Sequence, residues 1–316
     1  MKLYTINTGY FKLDGGAMFG VVPKSIWNKL SPADENNMCS WALRCLLIED
    51  EGKLILIDNG MGDKQDAKFF GHYYLHGDDT LVKSLAQHGF TKDDITDVFL
   101  THLHFDHCGG SIVREGEKLV SAFKNATYWS NEQHWKWATE PNVREKASFL
   151  KENILPIQES GQLKFLNVDR ENVNRESSNV SKEQHTELAE STPDSLLTTL
   201  DSPLTAHGSS LTTNLEFYIV CGHTNSMMLP KLNYKGRTIV FMADLLPSAA
   251  HIPLPYVMAY DMFPLTTLNE KKLFLTEAQQ NDYVLFFEHD PLNECCTLQM
   301  REKGIKVNET FKLSDL

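Results

Sequence analysis

Residues 101–110 read Thr-His-Leu-His-Phe-Asp-His-Cys-Gly-Gly, and they constrain this chain more than any other stretch. Four side chains able to bind a metal, His102, His104, Asp106 and His107, fall within six residues, directly after the apolar run Val98-Phe99-Leu100. Imidazole and carboxylate donors together suit divalent zinc, manganese, iron or cobalt. Residues two apart on extended backbone share a side, so His102 and His104 face one way, while Asp106 and His107 follow where the chain must turn. One short loop can therefore serve two neighbouring ions, with His102 and His104 on one and Asp106 and His107 on the other. The plainer alternative is a set of surface histidines before a Gly-Gly turn, and four such residues packed behind an apolar strand argue against it.

Further ligand-type residues stand at the ends of later apolar runs. Leu215–Val220 reads as a strand ending in Cys221-Gly222-His223, Thr238–Ala243 as one ending in Asp244, and Tyr283–Phe287 as one ending in Glu288-His289. Upstream, residues 1–12 read as an opening strand. The segments 41–48 and 53–58 read as two strands joined by the turn 49–52, the second ending in Asp58. Thr80–His88 has the spacing of a short amphipathic helix closed by Gly89. Residues 126–129 read as a strand, Asn131–Thr139 as a helix whose His134, Trp135 and Trp137 are packing residues, and Ser148–Ile154 as a helix ended at Pro156. Residues 167–213 are rich in Ser, Thr, Asn and Glu. With few apolar side chains to offset ordering entropy, they predict a mobile insertion within a single domain spanning 1–316. His185 and His207 lie in that segment and are discounted as ligands.

Composition narrows the function. Across 316 residues, 42 acidic side chains against 30 basic give a formal net charge of −12, which argues against a nucleic-acid partner. The hydrophobic content of 41% suffices for a sizeable core. Met1–Thr8 has neither a continuous apolar region nor a small-residue cleavage site, so no signal peptide is read. No run of about 18 apolar residues predicts a membrane span. The six cysteines show no regular spacing and no C-x-x-C pair, which predicts free thiols and a cytoplasmic protein. Cys108 and Cys221, beside donor residues, are read as small packing residues. No G-x-S-x-G elbow suggests a serine nucleophile.

His102-Leu103-His104-Phe105-Asp106-His107 resembles the H-x-H-x-D-H signature of the metallo-β-lactamase superfamily. The resemblance implies an αββα sandwich of two mixed sheets with helices outside and the site at one edge between them. It also assigns His102, His104 and His223 to one metal, Asp106, His107 and His289 to a second, and Asp244 to both. On this resemblance Asp58 supports the ligand loop, although a plain turn aspartate would look the same. Two divalent ions are implied, zinc first, with manganese, iron or cobalt as alternatives.

Asp14–Lys24, Ala243–Pro247 and His251–Pro255 look like the quorum-quenching lactonase branch, which hydrolyses N-acyl-homoserine lactones and includes methyl-parathion-hydrolase-like enzymes. The implied reaction is attack of a metal-bridging hydroxide on a lactone or ester carbonyl, with Asp106 and Asp244 as catalytic residues and Asp106 helping to protonate the leaving alkoxide. Met18, Phe19, Met227 and Met228 either line an apolar channel for an acyl chain or belong to the core. Many such lactonases carry a Tyr shortly after the bridging Asp. Here Leu245, Leu246 and Pro247 stand there, which leaves His251 as a substrate-binding replacement and Tyr256 or Tyr260 as weaker ones. Asn225-Ser226-Met227 likewise follows Gly222-His223-Thr224 in place of the common Pro-Gly-His. An organophosphate triesterase is the nearest alternative, and a di-iron oxidoreductase a further one, although no flavin- or rubredoxin-like domain is appended. The expected partner is a small ester or lactone, with no nucleic acid or membrane, and homodimerisation is left open.

Overall fold

The computed structural model describes residues 1–167, 211 and 214–316, together with the backbone of Leu204–His207. Two sheets form its centre. The first has six strands in the order β1 (Lys2–Asp14), β2 (Met38–Asp50), β3 (Lys53–Ile57), β4 (Asp97–Phe99), β7 (Thr127–Ser130) and β8 (Leu163–Phe165). Its β1-β2-β3 edge is antiparallel, and β3, β4, β7 and β8 are mutually parallel. A small hairpin, β5 (Ile112–Glu115) and β6 (Lys118–Ser121), stands apart. The second sheet runs β15 (Gly304–Phe311), β14 (Cys295–Arg301), β13 (Val284–Phe286), β12 (Arg237–Phe241), β11 (Met227–Tyr234), β10 (Leu215–Val220) and β9 (Leu204–His207), with β12 and β13 its parallel pair.

Alternation along the strands fixes the layers. In β2, Leu46 and Ile48 join the core between the sheets, whereas Cys45 and Leu47 turn to the outer core; in β3, Ile55 and Ile57 point inward and Leu56 outward. The outer core is closed by helices α4 (Leu81–Gln87), α6 (Glu132–Thr139) and α7 (Lys151–Glu159) through Leu85, Trp135, Ala138, Ile154 and Ile157. On the second sheet Phe217 meets Phe99 of the first, with ring centroids 5.9 Å apart, while its neighbour Tyr218 meets Phe274 of α8 (Pro264–Gln280) at 5.7 Å. The order is helix, sheet, sheet, helix. Short helices α1 (Gly15–Phe19), α2 (Lys24–Trp27) and α3 (Ala67–Tyr73) gather a third cluster around Phe11, Trp27 and Trp41. Among the described residues no helix is long and apolar enough to cross a membrane.

Three expectations change. Pro156 does not end its helix, because α7 continues to Glu159 and forgoes only the bond a residue-156 amide would have made. β11 was not foreseen in the sequence, since its Pro230 disfavours a strand reading. Most of the 167–213 insertion, His185 included, lies outside the described residues, but within it β9 pairs antiparallel with β10 as the sheet's last strand.

Candidate metal centre

Every expected ligand stands just past the end of a strand. β4 delivers Thr101 to His104, and the one-turn helix α5 (Phe105–Cys108) then carries Asp106 and His107. The ends of β10, β12 and β13 in the facing sheet carry His223, Asp244 and His289. The side chains of His102, His104, His223 and Asp244 form one group and those of Asp106, His107 and His289 another, with the donor atoms of each group within 4.8 Å of one another. Asp244 lies between the groups: its Oδ2 is 3.1 Å from His223 Nε2 and 3.4 Å from His107 Nε2, and its Oδ1 is 3.2 Å from His289 Nε2. The residue before it, Ala243, is held at φ 39°, a strained left-handed conformation that aims the carboxylate.

The outward nitrogen of each imidazole is committed as a donor. His104 Nε2 donates to Glu145 (3.0 Å), His223 Nδ1 to Asp261 (2.8 Å) and His289 Nδ1 to the Ala42 carbonyl (2.8 Å). His107 Nδ1 faces both Asp58 (3.1 Å) and Glu288 (2.9 Å). His102 Nδ1 donates to Thr101 Oγ1 (3.1 Å), whose own hydroxyl donates to Asp58 (2.6 Å). With those protons placed outward, neutral imidazoles turn bare lone pairs on one another. His104 Nδ1 lies 3.1 Å from both His102 Nε2 and His223 Nε2, and His107 Nε2 lies 3.2 Å from His289 Nε2. Asp244 Oδ1 is buried and accepts no hydrogen bond. Such an arrangement calls for positive charge at its centre, and the donor set fits two divalent ions.

Electrostatics agree. Burial opposes charge on His223, yet Asp244 and Asp261 hold its pKa up at about 10, so a proton takes the inward lone pair wherever a metal ion does not. Burial also works to raise Asp244, but His107, His223 and His289 keep it well below the usual carboxylate range. Burial lowers the buried His102 well below the ordinary histidine value, with the neighbouring imidazoles His107 and His104 adding to the effect. The cluster therefore attracts cations at its carboxylates while keeping an imidazole free to coordinate. His104, Asp106 and Asp244 are 6–8% exposed, against 0–2% for the other four, so the approach to the centre is on their side.

The expected substrate residues are buried. Met18, Phe19, Met227 and His251 are all at most 1% exposed, the first two in the third cluster and Met227 in the core between the sheets. Both nitrogens of His251 are used: Nε2 donates to the Met18 carbonyl (2.9 Å) and Nδ1 accepts from Ser248 (2.8 Å). Burial lowers its pKa to about 3, and its ring stacks on Phe19 at 4.7 Å. The structure thus places His251 as a neutral strut between the Ser248 turn and α1. Asp58 fulfils the supporting role expected of it, accepting from Thr101 N as well (2.8 Å). Glu145, Asp261 and Glu288 were not singled out in the sequence. Only Glu288, adjacent to His289, carried a local signal.

A profile described as the metallo-beta-lactamase superfamily matches residues 44–289. An N-acyl homoserine lactonase of Bacillus thuringiensis is 31% identical over 120 residues, covering 35% of this chain and 44% of that protein. Another of Bacillus cereus is 27% identical over 158 residues, covering 46% and 58%. The matched stretch is thus less than two thirds of the length of these relatives. Among solved structures, a probable metal-dependent hydrolase from Staphylococcus aureus aligns with a TM-score of 0.77 at 24% identity, covering 100% of this chain and 98% of that one. AidC, a dizinc quorum-quenching lactonase in complex with a product, aligns with a TM-score of 0.70 at 20% identity, covering 98% and 95%. Taken with the two facing sheets and the ligand-bearing strand ends, the profile match establishes that this chain belongs to the metallo-beta-lactamase superfamily.

Proposed function

We propose that the chain is a dinuclear metal-dependent hydrolase that opens lactones or related esters, with N-acyl-homoserine lactones the leading substrates. The observation that carries this reading is the convergence of five inward imidazole lone pairs around the shared carboxylate of Asp244. His102, His104 and His223 hold one ion, Asp106, His107 and His289 the other, and Asp244 both. When bound, two divalent cations supply Lewis acidity and lower the pKa of a water toward neutrality. Zinc is the proposed metal, supported by the imidazole-rich donor set and by the dizinc neighbour.

The chain's own residues do the remainder. Glu145, Asp261 and the Ala42 carbonyl fix the tautomers of three ligands, so that no imidazole reorients during turnover. Burial of the centre excludes bulk water from all but the His104, Asp106 and Asp244 side, where the substrate carbonyl enters. Asp106, on that side, takes up the proton of the attacking water and passes it to the leaving alkoxide, so that the ring opens to a carboxylate and an alcohol. The lactone assignment is supported by the two Bacillus relatives, both N-acyl homoserine lactonases. Six free cysteines support a reducing, cytoplasmic setting.

Purified protein should open acyl-homoserine lactone rings in a pH-stat assay. The activity should be abolished by chelation and fall at least about 1,000-fold in Asp244→Ala. A parallel phosphotriester assay separates the nearest alternative: turnover of that substrate alone overturns the lactonase reading and leaves the dinuclear one intact.

A further inference from the structure

Two neighbouring residues of α8 grip the two backbone segments that meet at the His223–Asp261 pair. Glu270 accepts the amides of Cys221 and Gly222 at 2.6 and 3.0 Å. That segment backs so closely onto the helix that a Cβ on Gly222 would lie 2.3 Å from Thr267 N. Lys271 reaches the other segment. Its Nζ donates to the carbonyls of Pro253 (3.3 Å), Leu254 (3.4 Å) and Tyr256 (2.7 Å), and Asp261 follows five residues later.

The lysine is 1% exposed, and among the described residues its bonds go to carbonyls and to no carboxylate. Burying an ammonium in this way is costly unless the groups it satisfies have no other partner. The Pro253 carbonyl also accepts from Tyr256 N (3.0 Å), but those of Leu254 and Tyr256 belong to neither sheet nor helix, and to these two the ammonium supplies what a strand neighbour would. Burial lowers its pKa to about 7, against the pull of Asp261. Two further bonds complete the junction: Met262 N to the His223 carbonyl (3.0 Å) and Phe263 N to the Gly222 carbonyl (2.8 Å).

We propose that Glu270 and Lys271 are positioning residues for the first metal: from adjacent places on one rigid helix they set the distance between His223 and Asp261, and so the aim of the His223 imidazole. This rests on the two-ion reading given above. It predicts an effect confined to the ion held by His102, His104 and His223. The test is chelator competition on the full zinc-loaded chain, with bound zinc counted per chain by elemental analysis, on wild type, Lys271→Met and Phe274→Leu. Phe274 lies on the same helix but packs into the core, so its substitution reports generic loosening.

The expected result is that Lys271→Met gives up one of its two ions at about ten-fold lower chelator concentration while the second is retained as in wild type. Phe274→Leu should melt earlier yet hold both. Where Lys271→Met does not fold, Glu270→Gln tests the same frame from the opposite segment with the same expectation. Equal retention of both ions in the variant, or loss of both together, overturns the proposal. A wild-type chain that takes up fewer than two ions overturns the metal-centre reading as well, and is told apart by that count.

Discussion

The imidazole of His134 shows how one buried side chain outside the donor set tunes the ligand loop. Its Nε2 accepts the amide of Leu103, between His102 and His104, at 2.9 Å, and its Nδ1 donates to the Asn225 carbonyl at 2.6 Å. Burial lowers its pKa to about 4, so it stays neutral and keeps one nitrogen as an acceptor. The unfolded chain, with an ordinary value near 6.5, takes up the proton first as pH falls. This contribution is therefore complete above about pH 6.5 and is lost as pH drops toward 4, on the order of 3 kcal/mol in all. Metal-free wild type should lose urea resistance between pH 7 and pH 5, and His134→Gln should lose markedly less over the same interval. The seven candidate donors that the structure gathers were legible because each stands in a short motif or at the end of an apolar run. Their outer partners were not, since Glu145 lies 41 residues from His104 and Asp261 lies 38 from His223. Pairings of that separation are fixed by how loops return, and no local pattern encodes the return. The substrate residues carried no such signal: Met227 is apolar whether it lines a pocket or a core, and its burial between the sheets is visible only once the second sheet is in place.

At the scale of elements, the ligand helix α5 is wedged against the loop that follows β3. A Cβ on Gly110 would lie 2.2 Å from the Asn59 carbonyl, and one on Gly109 2.0 Å from that of Met61, so both glycines serve close approach more than turning. Lys64 closes the same contact by donating to the Gly109 carbonyl at 2.5 Å. Gly110→Ala should therefore cost about 2–3 kcal/mol, read as a lower urea midpoint, and should weaken metal retention by displacing His107. The strands at the centre of each sheet were readable from their unbroken apolar runs. Proline obscured two other elements for opposite reasons. In α7 the helix tolerates Pro156 because neighbouring turns still pack through Asn153, Ile154 and Ile157. In β11, Pro230 sits one residue beyond the stretch paired with β12, where the ladder is bonded to β10.

For the molecule as a whole, the centre spans the seam between the sheets. The first sheet contributes His102, His104, Asp106 and His107, and the second His223, Asp244 and His289. Ion binding and docking of the two sheets are consequently linked equilibria. Adding zinc to chelated protein should raise the thermal midpoint by about 5–10 °C at concentrations well above the dissociation constant. In Asp244→Ala, which lacks the carboxylate lying between the two donor groups, the rise should shrink to a fraction of that, as followed by calorimetry. The layered fold was legible as a whole only through the motif's resemblance to a family, because alternating strands and helices fit several architectures.

The same division of donors has a consequence in time. A ribosome makes the chain from one end, and the first four donors are in place long before their counterparts: His104 precedes His223 by 119 residues and His107 precedes His289 by 182. Until those later residues emerge, the early histidines can offer an ion only partial coordination. Metal capture in finished form therefore has to wait until His289 has been added.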